Sequence, residues 1–297
     1  MPDRLYCTIA ELIHDLQLDG LKPREEKGAV EFIQSASDWI DKKLGQFIPV
    51  TQARRRDGPG GRVLFVDPLL SITSIVDDTV TLVSTDYLLY PNGRHWDFGP
   101  YTRIEIDPDS ASLGAWTAKR DDIVITGKWG KYDHSLTTST TVANATQIAA
   151  DGTALLVANG SKVSPGMILL IESEQLLVRA TGARSAAVSL LNEALDATET
   201  DVDVDNGAEF NIGEVIRVET EDMLIEDIAT HTLTVQRGWN GTQPTAHAND
   251  TAISMYRTYT VERGVNGTTA AAHASGTAIN RYVPPGDVNW LARQIVG

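Results

Sequence analysis

The chain has 297 residues, 42% of them hydrophobic, with 25 basic against 40 acidic side chains and a net charge of −15. That is apolar material enough for cores in about two domains of ~150 residues each. The acidic balance excludes a general nucleic-acid binder, whose phosphate contacts need clustered Lys and Arg. The single cysteine, Cys7, excludes an internal disulfide and a thiolate-rich zinc site, and no apolar run approaches the ~20 residues of a membrane span. The opening Met1-Pro2-Asp3-Arg4 lacks the basic stretch and apolar core of a secretion signal. The expectation is a chain made in a reducing cytoplasm, with no membrane partner.

The N-terminal fifth reads as helical. Thr8-Ile9-Ala10-Glu11 is a capping box, and Ile9, Leu12, Ile13 and Leu16 fall on one helical face. Pro23 opens a second helix where its missing N–H costs nothing. Ala29, Val30, Ile33, Ala36, Trp39, Ile40 and Leu44 form its apolar stripe, down to a stop at Gly45. The short Asp-Gly-Leu-Lys link predicts a helical hairpin. From Arg62 the periodicity becomes β-like, in segments 63–66, 70–76, 79–83, 87–90, 103–106 and 122–126, with a turn signal at Pro91-Asn92-Gly93. A small antiparallel sheet or barrel is expected over residues 62–131.

Residues 138–282 are β-like and repeat themselves. At an offset of 47, Asn159-Gly160, Gly166, Ile171, Glu172, Glu174, Leu177 and Val178 face Asn206-Gly207, Gly213, Val218, Glu219, Glu221, Leu224 and Ile225. At an offset of 26, Thr234-Val-Gln-Arg237-Gly-Trp-Asn-Gly241-Thr242 faces Thr260-Val-Glu-Arg263-Gly-Val-Asn-Gly267-Thr268, and His247 faces His273. Re-used small β modules follow from this, not a long solenoid. The region 132–285 also holds eight basic and nineteen acidic residues, which sets it apart from a neutral N-terminus. After Pro284-Pro285-Gly286, Asp287 is placed to cap a last helix with the stripe Val288, Leu291, Ala292 and Ile295, broadened by Trp290.

Specific catalytic motifs are missing from the sequence: it has no phosphate loop with its Lys, no His-Glu-x-x-His pair and no Gly-x-Ser-x-Gly elbow. His247 and His273 repeat with Arg237 and Arg263. A metal there would need further converging ligands, so these residues and Gly241 and Gly267 are read as ordering the turns of their modules. Asp201-Val-Asp203-Val-Asp205-Asn206-Gly207 has the alternation of a calcium loop, but Asn206 stands where the sharp turn needs glycine and Ile212 where a bidentate glutamate is needed. No cofactor and no metal are expected. Arg54-Arg55-Arg56, the one dense basic run, is placed in a loop before the first strand. It is either a solvated face or a contact for DNA phosphates or an acidic partner.

The order of parts carries a resemblance. A capped helix pair ends in Ala36-Ser-Asp-Trp39-Ile40, and an Arg-rich loop follows. Then come Asp86-Tyr-Leu-Leu-Tyr90 and a closing Ile123-Val-Ile-Thr-Gly-Lys-Trp-Gly130. This resembles the head–tail connector (adaptor) family of long-tailed bacteriophages over residues 5–131. The tandem Arg-Gly-x-Asn-Gly-Thr units, followed by Pro-Pro-x-Asp-Val and a helix, also look like segments of phage head–tail proteins. The family's C-terminal helix normally follows its β part directly, whereas about 150 residues intervene here. The expected class is therefore α+β: an N-terminal helical hairpin plus C-terminal helix with a small antiparallel β domain, and a large all-β insertion of duplicated modules. Its parts are a core at 1–133, a detachable insertion at 134–282 and a closing helix at 283–297.

The resemblance implies a non-enzymatic structural subunit in the neck of the virion, assembled in the host cytoplasm into a homo-oligomeric ring of about twelve copies. It also implies a portal protein on one side, a stopper or tail terminator on the other, and transient contact with genomic DNA in the channel. An acidic wall would repel that DNA and let it slide. Val288, Trp290, Leu291 and Ile295 are the candidate docking residues toward portal or neighbouring subunit. The alternatives are a tail or baseplate β protein recognising a surface carbohydrate, and a hydrolase using paired carboxylates.

Overall fold

The computed structural model describes residues 4–91 and 100–297. The opening Met1-Pro2-Asp3 and the expected Asn92-Gly93 turn lie outside the described residues. Helix α1 (Ile9–Leu16) starts on its capping box, the Glu11 amide donating to Thr8 Oγ1 at 3.3 Å and the Thr8 amide to the Glu11 carboxylate at 2.8 Å. Helix α2 (Pro23–Leu44) begins on its proline and ends at Gly45, whose φ of 84° releases the chain. Helix α3 (Gly286–Val296) is capped by Pro285; Asp287 lies inside its first turn and is not the cap. No helix among the described residues is long and apolar enough to cross a membrane.

The first sheet contains β1 (Val50–Arg56), β2 (Val63–Asp77), β3 (Val80–Leu82), β4 (Tyr87–Tyr90), β5 (Tyr101–Ile106) and β6 (Ile123–Trp129). Its order is β1-β6-β2-β5-β4, with β3 on β2, and every pair is antiparallel. Segments 63–66 and 70–76 prove to be one long strand. Pro68, which has no N–H to give, sits where the register of β2 shifts against β5. Alternate residues of β2 and β6 enclose Leu64, Leu69, Ile75, Ile123, Ile125, Trp116 and Trp129 in one core.

The rest of the β structure is two copies of one module. The first uses β7 (Ser135–Thr141), β8 (Gln147–Ile148), β9 (Ala154–Leu156), β10 (Ile168–Ile171) and β11 (Glu174–Thr181). The second follows with β12 (Ser185–Leu190), β13 (Asp201–Asp203), β14 (Val215–Val218), β15 (Glu221–Ala229), β16 (Thr232–Trp239) and β17 (Ala252–Met255). The chain then returns to the first with β18 (Thr258–Glu262), β19 (His273–Ala274) and β20 (Ala278–Tyr282). The sheet orders are β7-β20-β10-β11-β18-β9 and β12-β17-β14-β15-β16-β13, the same topology strand for strand.

This nesting accounts for both sequence periods. The hairpin that closes tightly at Thr230–His231 in the second module is opened in the first, between β11 and β18, and the whole second module is inserted there. The first halves of the copies are therefore related by one offset and the second halves by another. The cores correspond too: Ile148, Leu155, Val157, Leu169, Ile171, Val178, Val261 and Ile279 match Leu195, Val202, Val204, Ile216, Val218, Ile225, Val235 and Ile253.

The expected α+β class is corrected by this architecture. Among the described residues the chain is mostly β, with 41% in strands, 17% helical, and four antiparallel sheets. The physical reason is that the helices have no core of their own. Their inward residues Ile9, Leu12, Val30, Ile33, Ile40, Val288 and Ala292 close on Ile168, Leu177, Val265 and Tyr282 of the first module. Residues 134–282, expected as a detachable insertion, thus supply Ile168, Leu177, Val265 and Tyr282 to the cluster under the helical layer.

The repeated Asn-Gly turns join the modules to the rest. Gly267, at φ 75°, lies so close to β1 that a Cβ would stand 1.9 Å from the Thr51 carbonyl oxygen. Gly241, at φ 65°, faces only the end of Lys22, 3.6 Å away. Valine at either position is expected to be destabilising through its left-handed backbone, by roughly 1–3 kcal/mol. Gly267→Val should cost clearly more, because backbone must also move. Urea unfolding of the two variants checks this; equal losses would count against the close approach.

Candidate functional site

Helix α3 shows what the terminal stripe does. Val288 and Ala292 are buried, and Leu291 and Val296 pack on the same cluster. Asn289 Nδ2 donates to the Tyr6 carbonyl at 2.8 Å and to Glu11 at 3.1 Å, while Arg293 pairs with Asp15 at 2.8 Å. Of the four docking candidates, Val288 and Leu291 are thus engaged within the chain, whereas Trp290 is 56% and Ile295 44% exposed. Helical spacing is the reason: Trp290 lies opposite the face that carries Val288 and Ala292.

Helix α2 carries two apolar faces. Val30, Ile33 and Ile40 are buried, but Phe32 is 69% and Trp39 48% exposed. Trp39, read from the sequence as part of the inward stripe, belongs to the outer face. Phe32, Ser35, Ala36, Trp39, Ile295 and Val296 line an open, largely apolar depression of about 490 Å³ between α2 and α3. Exposed aromatics grouped in this way mark interaction sites. The sequence signal was available in the seven-residue spacing of Phe32 and Trp39, which puts them on one face two turns apart.

The arginine run is corrected from loop to strand. Arg54, Arg55 and Arg56 end β1 and pair in register with Ile125, Val124 and Ile123. Strand alternation sends Arg54 and Arg56 to one face, over the Trp129 ring at 4.5 and 5.9 Å, and both pair with Asp67. Arg55 points the other way, exposed, with one bond to the Asp121 carbonyl at 3.0 Å. The run therefore presents one outward guanidinium, not three.

The repeated Arg, His and Glu residues converge in each module. Glu174 is fully buried and receives Arg263 through two bonds, at 2.8 and 2.7 Å, and His273 Nε2 at 2.8 Å. The Gly264 and Ala271 amides also donate to it, at 2.9 and 3.0 Å. His273 Nδ1 meets the exposed Glu172 at 2.8 Å, and Arg263 Nη1 donates to the Ala149 and Gly152 carbonyls. The second module repeats this set with Glu221, Arg237, His247 and Glu219. Its outer bonds run from Arg237 to the Asp196, Glu199 and Thr245 carbonyls.

Burial alone would raise the Glu174 carboxyl, but the bonds from Arg263, the two amides and His273 outweigh it and bring it to about 2. Glu221 is lowered by the same balance. Each guanidinium ties two loops of its module to one carboxylate, so Arg237, His247, Arg263 and His273 knit structure around Gly241 and Gly267.

The alternating aspartates are likewise occupied. Asp201 accepts from Thr234 Oγ1 at 3.0 Å, Asp203 from Thr232, and Asp205 from the Leu190 amide at 3.1 Å. Among the described residues no group of three or more His, Cys, Asp and Glu is arranged to hold a metal ion. The chain matches no protein-family model, no curated protein and no solved structure.

Proposed function

We propose that the chain is a structural, non-enzymatic subunit of a phage neck ring, joining the capsid portal to the tail and enclosing the DNA channel. The observation that carries this reading is the apolar face of the helical layer. Phe32 and Trp39 of α2 stand exposed beside Ile295 of α3, with Trp290 exposed on the other side of the same short helix. A layer that presents apolar side chains on two different faces suits a head-to-tail contact, which closes into a ring when the rotation allows.

On this reading the partners are further copies of the chain, about twelve in a ring, the portal, and a tail-side stopper or terminator. DNA passes transiently, and the location is the neck of the virion. The carbohydrate-recognising alternative draws on exposed aromatics in the modules. There Phe210, Tyr259 and Tyr282 are buried, Trp239 and Tyr256 are half-buried, and Tyr132, just before β7, is exposed. Co-sedimentation with purified portal rings tests the proposal. The full chain is expected in the portal fraction at saturating stoichiometry, and a chain that stays in the supernatant at every concentration would sink it.

A further inference from the structure

We propose that the second module is a hinged arm, held by a pivot at its root and a separable latch at its tip. The module has a core of its own, drawn entirely from residues between 187 and 255. It leaves and re-enters the first module through two adjacent strand ends, at 182–184 and 256–257. At this root Arg257 pairs with the buried Glu214 through two bonds of 2.6 Å, and Glu214 also accepts the Gly160 amide of the first module at 2.8 Å. Arg257 further donates to the Glu209 carbonyl at 2.7 Å. These bonds cross the joint itself and form the pivot.

The latch lies at the other end. The Asn240 amide donates to the Asp19 carbonyl at 2.7 Å, and Gln236 Nε2 to the Asp19 carboxylate at 3.0 Å. Gly20 faces the Trp239 indole nitrogen and the Asn240 side chain so closely that a Cβ would stand 2.7 and 2.2 Å from them. Between latch and pivot the faces do not interdigitate: a cavity of about 190 Å³ remains, lined by Ile13, Leu21, Glu26, Gly160, Trp239 and Tyr259. Surfaces separated by a gap forgo the dispersion contacts that hold a core shut.

The duplication provides the comparison. In the first module the equivalent turn is driven home: Val265 and Asn266 are each 5% exposed, Val265 belongs to the core cluster of the helices, and Gln175 Nε2 donates to the Pro49 carbonyl at 3.1 Å. The same turn thus anchors one copy and only latches the other. Parting of the latch swings the second module about Arg257–Glu214 and uncovers Ile13 and Leu21 of the helical layer.

Hydrogen exchange on the full chain tests this, with Gly20→Val, which sterically excludes Trp239 and Asn240, and Trp239→Ala, which removes the indole without straining the α1–α2 loop. Both should speed exchange of the Asn240 amide ~tenfold or more, as expected for loss of a local contact. Strands β14–β16 and helices α1 and α2 should keep their protection, and proteolysis should rise at 182–184 and 256–257. Unchanged protection at Asn240 in both variants overturns the hinge. So does loss of protection in both variants across the second module and the helices together.

Discussion

Replacing Glu174 by alanine is expected to destabilise the first module by roughly 3–5 kcal/mol, the usual cost of leaving one partner of a buried ion pair alone. The substitution strands the Arg263 guanidinium, whose side chain is 6% exposed, and leaves the Gly264 and Ala271 amides without their acceptor. Because Val265 and Leu177 flank this cluster and belong to the core under α1–α3, the helical layer should lose protection along with the module. Chemical unfolding followed by tryptophan fluorescence measures the loss. A change under about 1 kcal/mol would show that the cluster behaves like a surface pair.

The same residue sets a pH dependence whose sign is fixed. Its carboxyl lies at about 2 in the folded chain against an ordinary 4.5. The unfolded chain therefore binds the proton first, and stability rises with pH in that interval. The contribution is fully present above about 4.5 and is lost as pH falls toward 2. Glu221 acts in the same direction in the second module. Glu174→Ala should flatten the acid limb of the stability profile in this window, and an unaltered limb would assign the acid sensitivity elsewhere.

The second large effect concerns the outer face of the helices. Phe32→Ser/Trp39→Ser removes two aromatics that are 69% and 48% exposed, so the thermal midpoint should stay within a degree or two of the parent, as for surface substitutions. Each large side chain buried on association contributes ~1.5–3 kcal/mol, so losing both should weaken assembly by two to four powers of ten at ~1.4 kcal/mol per tenfold. Trp290→Ala probes the opposite side of α3 in the same way. Leu291 and Val288 are unsuited to this purpose, since their substitution injures the chain's own core. Analytical ultracentrifugation over a range of concentrations reads the outcome; wild-type association in the double variant would place the assembly contact elsewhere.

Much of this was legible in the sequence because local chemistry determined it. The Thr8–Glu11 box, Pro23, Gly45 and the duplicated Arg-Gly-x-Asn-Gly-Thr turns each impose a backbone geometry that tertiary packing then kept. Strand β1 is hidden in the sequence because Thr-Gln-Ala-Arg-Arg-Arg has almost no apolar alternation; its inward face is completed by Arg54 and Arg56 stacked on Trp129, far away in the chain. The fold class is hidden from the sequence for a related reason. Apolar stripes show that helices need a partner, but not that the partner is a β module inserted more than 100 residues later. The two offsets held the nesting in plain view, yet a single duplication becomes evident only when the open hairpin between β11 and β18 is seen to receive the other copy. Phe32 and Trp39 were visible as residues but not as a surface, because exposure depends on where α3 returns.

The neck-ring reading is tested most directly by electron microscopy of the purified full chain, alone and mixed with portal rings. The account predicts closed rings stacked coaxially on the portal, with neighbouring subunits meeting through the Phe32–Trp39–Ile295 face and a continuous central channel. Portal rings left bare, beside single chains that never close into rings at any concentration, would contradict it.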